Sequence, residues 1–139
     1  MKIVIITIFE RSKCVNYSKQ REKILEYVKS VKTHPTAKIV YDKLKSEIPN
    51  LSLGTVYRNL DILSETGRLR RIKIANDKDR FDGDLTSHYH AMCVNCGQIF
   101  DVQAFNLELS DKYIQKKLNC VVLSHDIIFN ILCSKCKNK

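Results

Sequence analysis

Two Cys-x-x-Cys pairs constrain the fold of this chain more than any other feature: Cys93 with Cys96, and Cys133 with Cys136. Each pair offers two sulfurs from one tight turn, and four thiolates complete the tetrahedron that Zn²⁺ prefers in closed structural sites. The intervening residues 97–132 exceed the length of a single zinc ribbon. The spacing therefore predicts a structural zinc site that ties the chain's end back to an earlier hairpin. A redox dithiol, the alternative, would need only one pair.

The cellular compartment decides whether six cysteines indicate metal or disulfides. Residues 3–9 form an apolar run that is too short to span a bilayer, and no small-residue cleavage site follows it. We therefore expect a cytoplasmic protein, in which paired cysteines more often bind metal. Of the two remaining cysteines, Cys120 is expected to pack as a small apolar residue and Cys14 to be an exposed thiol.

The excess positive charge lies entirely in the first part of the chain. Residues 1–80 contain 18 Lys and Arg against 9 Asp and Glu, a balance of +9, whereas residues 81–139 contain 6 of each and are neutral. Such a division suggests that the first part meets a polyanion, with nucleic acid favoured over a membrane. A generally basic, solvated surface is the alternative, and charge alone does not choose between them.

Three helices are predicted in the first part. Ser18 caps the first, which ends before residues 34–35. The second starts near Thr36 and stops at residues 49–50, and its predicted buried stripe is Ile39, Val40, Leu44 and Ile48. Ser52 caps the third, Gly67 ends it, and its predicted core residues are Leu53, Val56, Leu60 and Leu63.

After Gly67 the apolar period changes to that of a strand, because Leu69, Ile72 and Ile74 interleave with basic residues before a polar turn at residues 76–79. Three helices followed by a basic hairpin is the order of a winged helix-turn-helix domain, assigned to residues 1–83. In that arrangement the third helix enters the DNA major groove and the hairpin follows the phosphates. An ordinary amphipathic surface helix is the alternative. The predicted DNA contacts are Ser52, Thr55, Tyr57 and Arg58 on the helix and Arg70 and Arg71 on the hairpin.

Residues 84–139 are predicted to form a second, small α/β domain. Strands at 88–94 and 98–102 precede a helix at 107–118 and a long strand at 120–132, whose apolar face is interrupted by His125. We expect His125 to be a satisfied core histidine. About 55 residues make a marginal core, so a metal, a partner subunit or both should complete it. The fold class is therefore α+β.

A second set of ligands differs in kind from the cysteines. His88 and His90 are two apart on a strand and project from one face, with Asp82, Asp84 and Asp101 nearby in sequence. Histidine nitrogen combined with carboxylate oxygen suits Fe²⁺, Mn²⁺ or Zn²⁺. Exposed histidines are common, but this pair is flanked by carboxylates and adjoins the thiolate site. Asp84 is expected to be a turn residue.

Seven segments resemble the ferric uptake regulator family of metal-dependent repressors, most closely its peroxide-sensing branch, and they span about residues 17–137. They are SKQREKILEYV, HPTA, LSLGTVYRNLDILSETG, RFDGD, HYHAMCVNCG, FDV and CSKC. The resemblance implies a DNA-binding winged helix, an α/β dimerisation domain and a homodimer on an inverted-repeat operator. It implies structural Zn²⁺ at the four cysteines and regulatory Fe²⁺ or Mn²⁺ at His34, Asp82, His88, His90 and Asp101.

The peroxide-sensing branch further implies that bound Fe²⁺ reacts with hydrogen peroxide and that His34 or His88 is oxidised, which lifts repression of peroxide-defence genes. Asp101, where the iron-uptake branch usually has Glu, and Ser87 and Tyr89 beside the histidines favour this branch, whereas Arg58 looks more like the iron-uptake pattern. A regulator of iron or zinc supply is therefore one alternative. A non-haem iron enzyme is another, although we expect no enzyme because the charge is concentrated on the DNA-reading part.

Overall fold

The structure, a computed structural model, describes residues 16–138, so the predictions for residues 3–9 and Cys14 lie outside the described part. The chain separates into two compact units, the first ending at Leu85 and the second beginning at Thr86. The sequence predicted two domains that meet at residues 83–84, and their assignment as separate domains remains a prediction. Within residues 16–138, no helix is both long and apolar enough to cross a bilayer.

Three helices form the first unit: α1 (Lys19–Ser30), α2 (Ala37–Leu44) and α3 (Leu53–Glu65). The hydroxyl oxygens of Ser18, Thr36 and Ser52 accept hydrogen bonds from backbone N–H groups in the first turns of these helices. The sequence predicted the caps at Ser18 and Ser52 and the start of the second helix near Thr36. After α3 the chain reverses at Gly67, whose φ of 70° lies in the left-handed region. The caps fix where each helix begins and hence which face points inward.

The core of the first unit lies between the three helices and the strand that follows them. Its central buried residues are Ile24, Leu25, Val28, Val40, Leu44, Ile48, Val56, Leu60, Leu63, Leu69 and Phe81. The prediction that Ile39 belongs to this core is wrong, since its side chain is 44% exposed. Helix α2 also ends at Leu44 rather than at residues 49–50, because the chain continues as turns that still bury Ile48.

A two-stranded hairpin completes the first unit. Strand β1 (Arg70–Ile72) pairs antiparallel with β2 (Arg80–Asp82), and Arg70 lies opposite Asp82. Ile72 and Ile74 are buried as the alternation predicted. The hairpin is therefore a wing packed on the helices, and Asp82 is at its end.

The second unit contains β3 (His88–Cys93), β4 (Ile99–Gln103), α4 (Glu108–Leu118) and β5 (Ile128–Ile131). Its sheet has the order β4-β3-β5, with β4 antiparallel and β5 parallel to the central strand β3. A parallel neighbour requires a crossover, and the segment containing α4 supplies it. The strand bearing His88 and His90 is thus held on both sides.

The long strand expected over residues 120–132 is wrong, because only Ile128–Ile131 form β5. Val121 and Leu123 are 73% and 81% exposed, and α4 buries none of its residues. The alternating residues are apolar and exposed as a face, but within residues 86–138 only the four residues of β5 pair with a neighbouring strand in this segment. Cys120 is also exposed rather than packed. The second unit therefore presents an uncovered apolar face.

Candidate metal centres

The four cysteines of the two pairs converge in the second unit. Cys93 ends β3, Cys96 follows in the turn before β4, and Cys133 and Cys136 come just after β5. One sulfur from each lies within 4.8 Å of the others, and the sulfurs of Cys96 and Cys133 are 3.8 Å apart. Zn–S bonds of about 2.3 Å give tetrahedral edges of about 3.8 Å. The arrangement therefore fits a closed structural Zn²⁺ site.

Hydrogen bonds prepare this cluster to hold a cation. The backbone N–H of Cys133 donates to the sulfur of Cys93 at 3.4 Å. Together with the N–H of Cys96, it lowers the pKa of Cys93 to about 6. The pKa of Cys136 is raised to about 11, because the side chains of neighbouring cysteines outweigh the opposing hydrogen bond from Asn95. Without metal, one sulfur is a thiolate and another keeps its proton, so the cluster does not accumulate four negative charges.

A cluster of nitrogen and oxygen ligands lies elsewhere in the same unit. Nε2 of His88 is 3.1 Å from Nε2 of His90, and the Asp101 oxygen Oδ1 is 3.5 Å from the first and 3.9 Å from the second. The register explains this, because His90 lies opposite Asp101 in the β3–β4 pair. Thr86 O contacts the other ring nitrogen of His88 at 2.9 Å, which orients the ring. Two imidazoles and one carboxylate fit Fe²⁺ or Mn²⁺.

The first unit holds the other two predicted ligands, His34 and Asp82. Nε2 of His34 is 3.9 Å from Oδ2 of Asp82, and both side chains are almost fully buried. His34 has a φ of 49°, a conformation that few residues with a side chain adopt. The backbone N–H of Phe81 donates to Pro35 O at 3.0 Å, which joins this loop to β2. A buried, strained histidine beside a buried carboxylate is typical of a functional site.

Asp82 is positioned by its neighbours in the RFDGD segment. Its Oδ1 accepts a hydrogen bond from the N–H of Asp84 at 2.8 Å, so Asp84 is the turn residue that the sequence predicted. A Cβ added to Gly83 would lie 2.6 Å from Cα of Lys29, a backbone atom of α1. Only glycine lets the chain pass this close to the helix. The close approach fixes the path of the chain next to the Asp82 carboxylate.

The four residues expected to contact DNA from the third helix lie at or near the beginning of α3. Tyr57 is 44% exposed and Arg58 is exposed, both near the start of α3. Ser52 is occupied as the N-cap, and its hydroxyl is 2.9 Å from that of Thr55. Ser52 therefore sets the beginning of the helix. That these four residues contact DNA remains a prediction.

Arg71 makes contacts within the first unit that the sequence did not indicate. Its guanidinium pairs with Asp61 on α3, lies 3.7 Å from Asp79 and stacks 5.4 Å above the ring of Phe81. These contacts fasten the wing to α3. Arg70 is only half-buried. Of the two arginines predicted to meet phosphates, Arg71 thus also has a clear internal role.

A winged helix joined to a unit with two chemically distinct ligand clusters defines a metal-responsive DNA-binding regulator. The family model of the ferric uptake regulator family matches residues 12–130. The chain therefore belongs to the ferric uptake regulator family, whose members are dimeric, metal-dependent transcriptional repressors rather than enzymes. This membership confirms the resemblance and the α+β fold class. The alternative of a non-haem iron enzyme is therefore wrong, because members of the family are transcriptional regulators.

Several relatives agree with this assignment. The chain is 33% identical over 125 residues to the peroxide-responsive repressor PerR of Staphylococcus aureus, covering 90% of this chain and 84% of that protein. It is similar to the Campylobacter jejuni peroxide stress regulator, with 31% identity, a TM-score of 0.70, and coverage of 84% and 88% of the two chains. The ferric uptake regulator Fur of Helicobacter pylori shares the fold, with a TM-score of 0.77, 23% identity, and coverage of 89% and 83%.

Proposed function

We propose that the chain is a peroxide-sensing repressor whose DNA binding depends on a reversibly bound Fe²⁺ or Mn²⁺. The observation that carries this proposal is the cluster of His88, His90 and Asp101. It offers nitrogen and oxygen ligand atoms and is separate from the four cysteines. Sequence identity to peroxide-responsive regulators supports hydrogen peroxide as the signal that the chain senses. Two ligand chemistries in one chain allow one ion to be permanent and the other exchangeable.

The regulatory site is proposed to comprise His34, Asp82, His88, His90 and Asp101. Because two of these ligands belong to the first unit and three to the second, an ion bound by all five would favour one arrangement of the units. We propose that this arrangement places the two recognition helices of a homodimer on half-sites of an inverted repeat, one helical turn apart. A near-complete switch requires the metal to favour the competent state by about 5 kcal/mol.

Homodimer formation also explains the uncovered apolar face of the second unit. Exposed apolar side chains on α4 and the segment after it include Leu109, Tyr113, Leu118, Val121 and Leu123. A patch of this kind is rare on a monomer and is typical of an interface. Regulators of the ferric uptake regulator family are cytoplasmic, and we propose the same compartment for this chain.

The sensing chemistry is proposed to modify His34 or His88. Bound Fe²⁺ supplies reductive cleavage of the O–O bond of hydrogen peroxide at the site. One peroxide oxygen replaces a ring hydrogen, so a C–H bond breaks and a C–O bond forms, and the second oxygen leaves as water. The ring loses two electrons and the peroxide accepts them. The altered ring binds metal poorly, so the repressor leaves its operator.

The test uses zinc-loaded dimer and a fluorescent duplex selected from a random pool with Mn²⁺-loaded protein. Binding is measured with Fe²⁺ or Mn²⁺, before and after micromolar peroxide. The masses of the peptides containing His34 and His88 are then determined by mass spectrometry. We expect peroxide to abolish Fe²⁺-dependent binding and to add one oxygen to one of these peptides, while Mn²⁺-dependent binding persists. Unchanged Fe²⁺-dependent binding and unmodified peptides would refute peroxide sensing and leave the repressor assignment intact.

A regulator of iron or zinc supply is the second candidate, and Arg58 on the recognition helix favours it. The same titration separates the candidates, because a supply sensor responds to the metal concentration and survives peroxide. A metal-supply regulator that prefers zinc would also bind the duplex at lower free Zn²⁺ than Fe²⁺. Each outcome therefore assigns one effector.

A further inference from the structure

Tyr89 occupies the position between the two histidines of β3. Because side chains alternate along a strand, Tyr89 points to the sheet face opposite that of His88 and His90. Its residue is only 6% exposed. The ring packs edge-on against Phe105, with centroids 5.0 Å apart. Contacts of the Tyr89 side chain therefore restrain the part of β3 that carries both predicted ligands.

The hydroxyl of Tyr89 meets His125, which lies in the segment before β5. Oη of Tyr89 is 2.8 Å from Nε2 of His125, and Nδ1 of His125 is 3.8 Å from Oδ1 of Asp111 on α4. A proton on Nδ1 is favoured by the Asp111 carboxylate, which leaves Nε2 to accept from the Tyr89 hydroxyl. The three side chains thus form one polar chain from α4 to β3.

Helix α4 has few other attachments to its own unit. It buries no residue, and its other polar links to residues beyond the helix include Gln115, whose Oε1 accepts from the N–H of Val122 at 3.2 Å. His125 therefore contacts β3 through Tyr89 and α4 through Asp111. Within residues 16–138, His125 belongs to neither cluster of three or more metal-ligand side chains. Its two ring nitrogens lie beside the Tyr89 hydroxyl and the Asp111 carboxylate.

We propose that Tyr89, His125 and Asp111 are positioning residues that couple α4 to the regulatory metal site. These contacts restrain β3 from the sheet face opposite the two histidines. His88 and His90 therefore stay oriented toward Asp101. Order imposed on α4, such as packing against a second copy, then strengthens metal binding. This inference rests on the proposed function only in taking His88 and His90 as ligands of the regulatory ion.

The test is Mn²⁺ titration of the zinc-loaded dimer, followed by electron paramagnetic resonance of free Mn²⁺. Tyr89→Phe removes the hydroxyl and keeps the ring against Phe105, and His125→Leu removes the acceptor. Each is expected to weaken Mn²⁺ binding by about tenfold, the effect of losing one hydrogen bond. The double variant should lose clearly less than the sum of the two single losses, because both single variants remove the hydrogen bond between Tyr89 and His125. His125→Gln, which keeps an acceptor, should restore most of the affinity.

The matched control is Tyr17→Phe, since Tyr17 is an exposed tyrosine that precedes α1 and belongs to the first unit. It should bind Mn²⁺ like the wild type. Zinc content and melting temperature should be equal in all these variants. Wild-type affinity in Tyr89→Phe, additive losses in the double variant, or losses that follow zinc content would overturn the inference. Failure of the wild type itself to bind Mn²⁺ would instead refute the proposed regulatory site.

Discussion

Nε2 of His88 lies 3.1 Å from Nε2 of His90. Oδ1 of Asp101 is 3.5 Å from the first of these nitrogens and 3.9 Å from the second. The two nitrogens and this oxygen therefore converge on one point, where a divalent cation would accept their lone pairs. The nitrogen and oxygen cluster is thus ready to exchange an ion, whereas the four sulfurs are arranged to retain one.

Replacement of one histidine should separate the two metal sites. His90→Ala is expected to weaken Mn²⁺ binding by more than about 100-fold, because losing a ligand costs more than losing its supporting hydrogen bond. Zinc content should not change, since His90 is not one of the four cysteine ligands that form the sulfur cluster. Metal analysis after dialysis checks both quantities. Asp77→Asn, an exposed turn residue, is the control, and equal loss of zinc in His90→Ala would contradict two independent sites.

Loss of one sulfur should release the structural ion. Cys96→Ser is expected to purify with little zinc and a clearly lower melting temperature, because the cluster closes the end of a small unit. Cys120→Ser provides a matched control, since Cys120 is an exposed cysteine outside the cluster. Atomic absorption and calorimetry measure the outcome. A Cys96→Ser protein with full zinc and wild-type stability would exclude the four-cysteine site.

The recognition helix is tested through Arg58. Arg58→Ala should weaken binding to the selected duplex by about 1–3 kcal/mol and broaden the range of sequences bound, as expected when a guanine contact is lost. Lys116→Ala removes the same charge from α4 and should leave sequence preference unchanged. Anisotropy titrations on matched and mismatched duplexes measure both effects. Unchanged affinity and selectivity in Arg58→Ala would show that α3 does not read bases through this residue.

Protonation of Cys93 predicts how zinc uptake depends on pH. Its pKa in the folded, metal-free protein is about 6, below the ordinary 9.0, so its thiolate stabilises the fold fully above pH 9 and this contribution is lost as pH falls through 6. Zinc binding must displace the Cys93 proton only below about pH 6. Cys136, with a pKa of about 11, is protonated throughout this range.

The measurable consequence is a change in proton release. Calorimetry in buffers of different ionisation enthalpy should show about one more proton released per zinc at pH 5 than at pH 7.5. The same number of protons released per zinc at pH 5 and at pH 7.5 would contradict a lowered pKa of Cys93.

Local signals in the sequence were sufficient for most of the first unit. Cap residues such as Ser18 and Ser52 and the left-handed Gly67 act within one turn of the chain, so the helix starts and the end of α3 follow from neighbours. Ile39 shows the limit, because its place on the helix depends on where α1 and α3 lie. The periodic pattern alone does not contain that information.

The sites divide in the same way. The cysteine pairs and the His88–His90 spacing are local patterns, and the sequence predicted that they bear metal ligands. His34 has no such pattern, and the resemblance to a family, not the sequence around it, singled it out. Tyr89, His125 and Asp111 meet only through the tertiary fold, so His125 was expected in a core although its side chain is 38% exposed. The long strand failed because alternation marks an apolar face without saying what covers it.

The most direct test of reversible filling is operator binding at fixed zinc content. Zinc-loaded dimer is titrated onto the selected duplex with Mn²⁺, then with a chelator that removes Mn²⁺ but not the sulfur-bound ion, and then with Mn²⁺ again. We predict tight binding, release by at least about 100-fold, and full recovery, with one zinc per protomer throughout. Equally tight binding in the chelated state, with zinc retained and Mn²⁺ absent, would contradict the account.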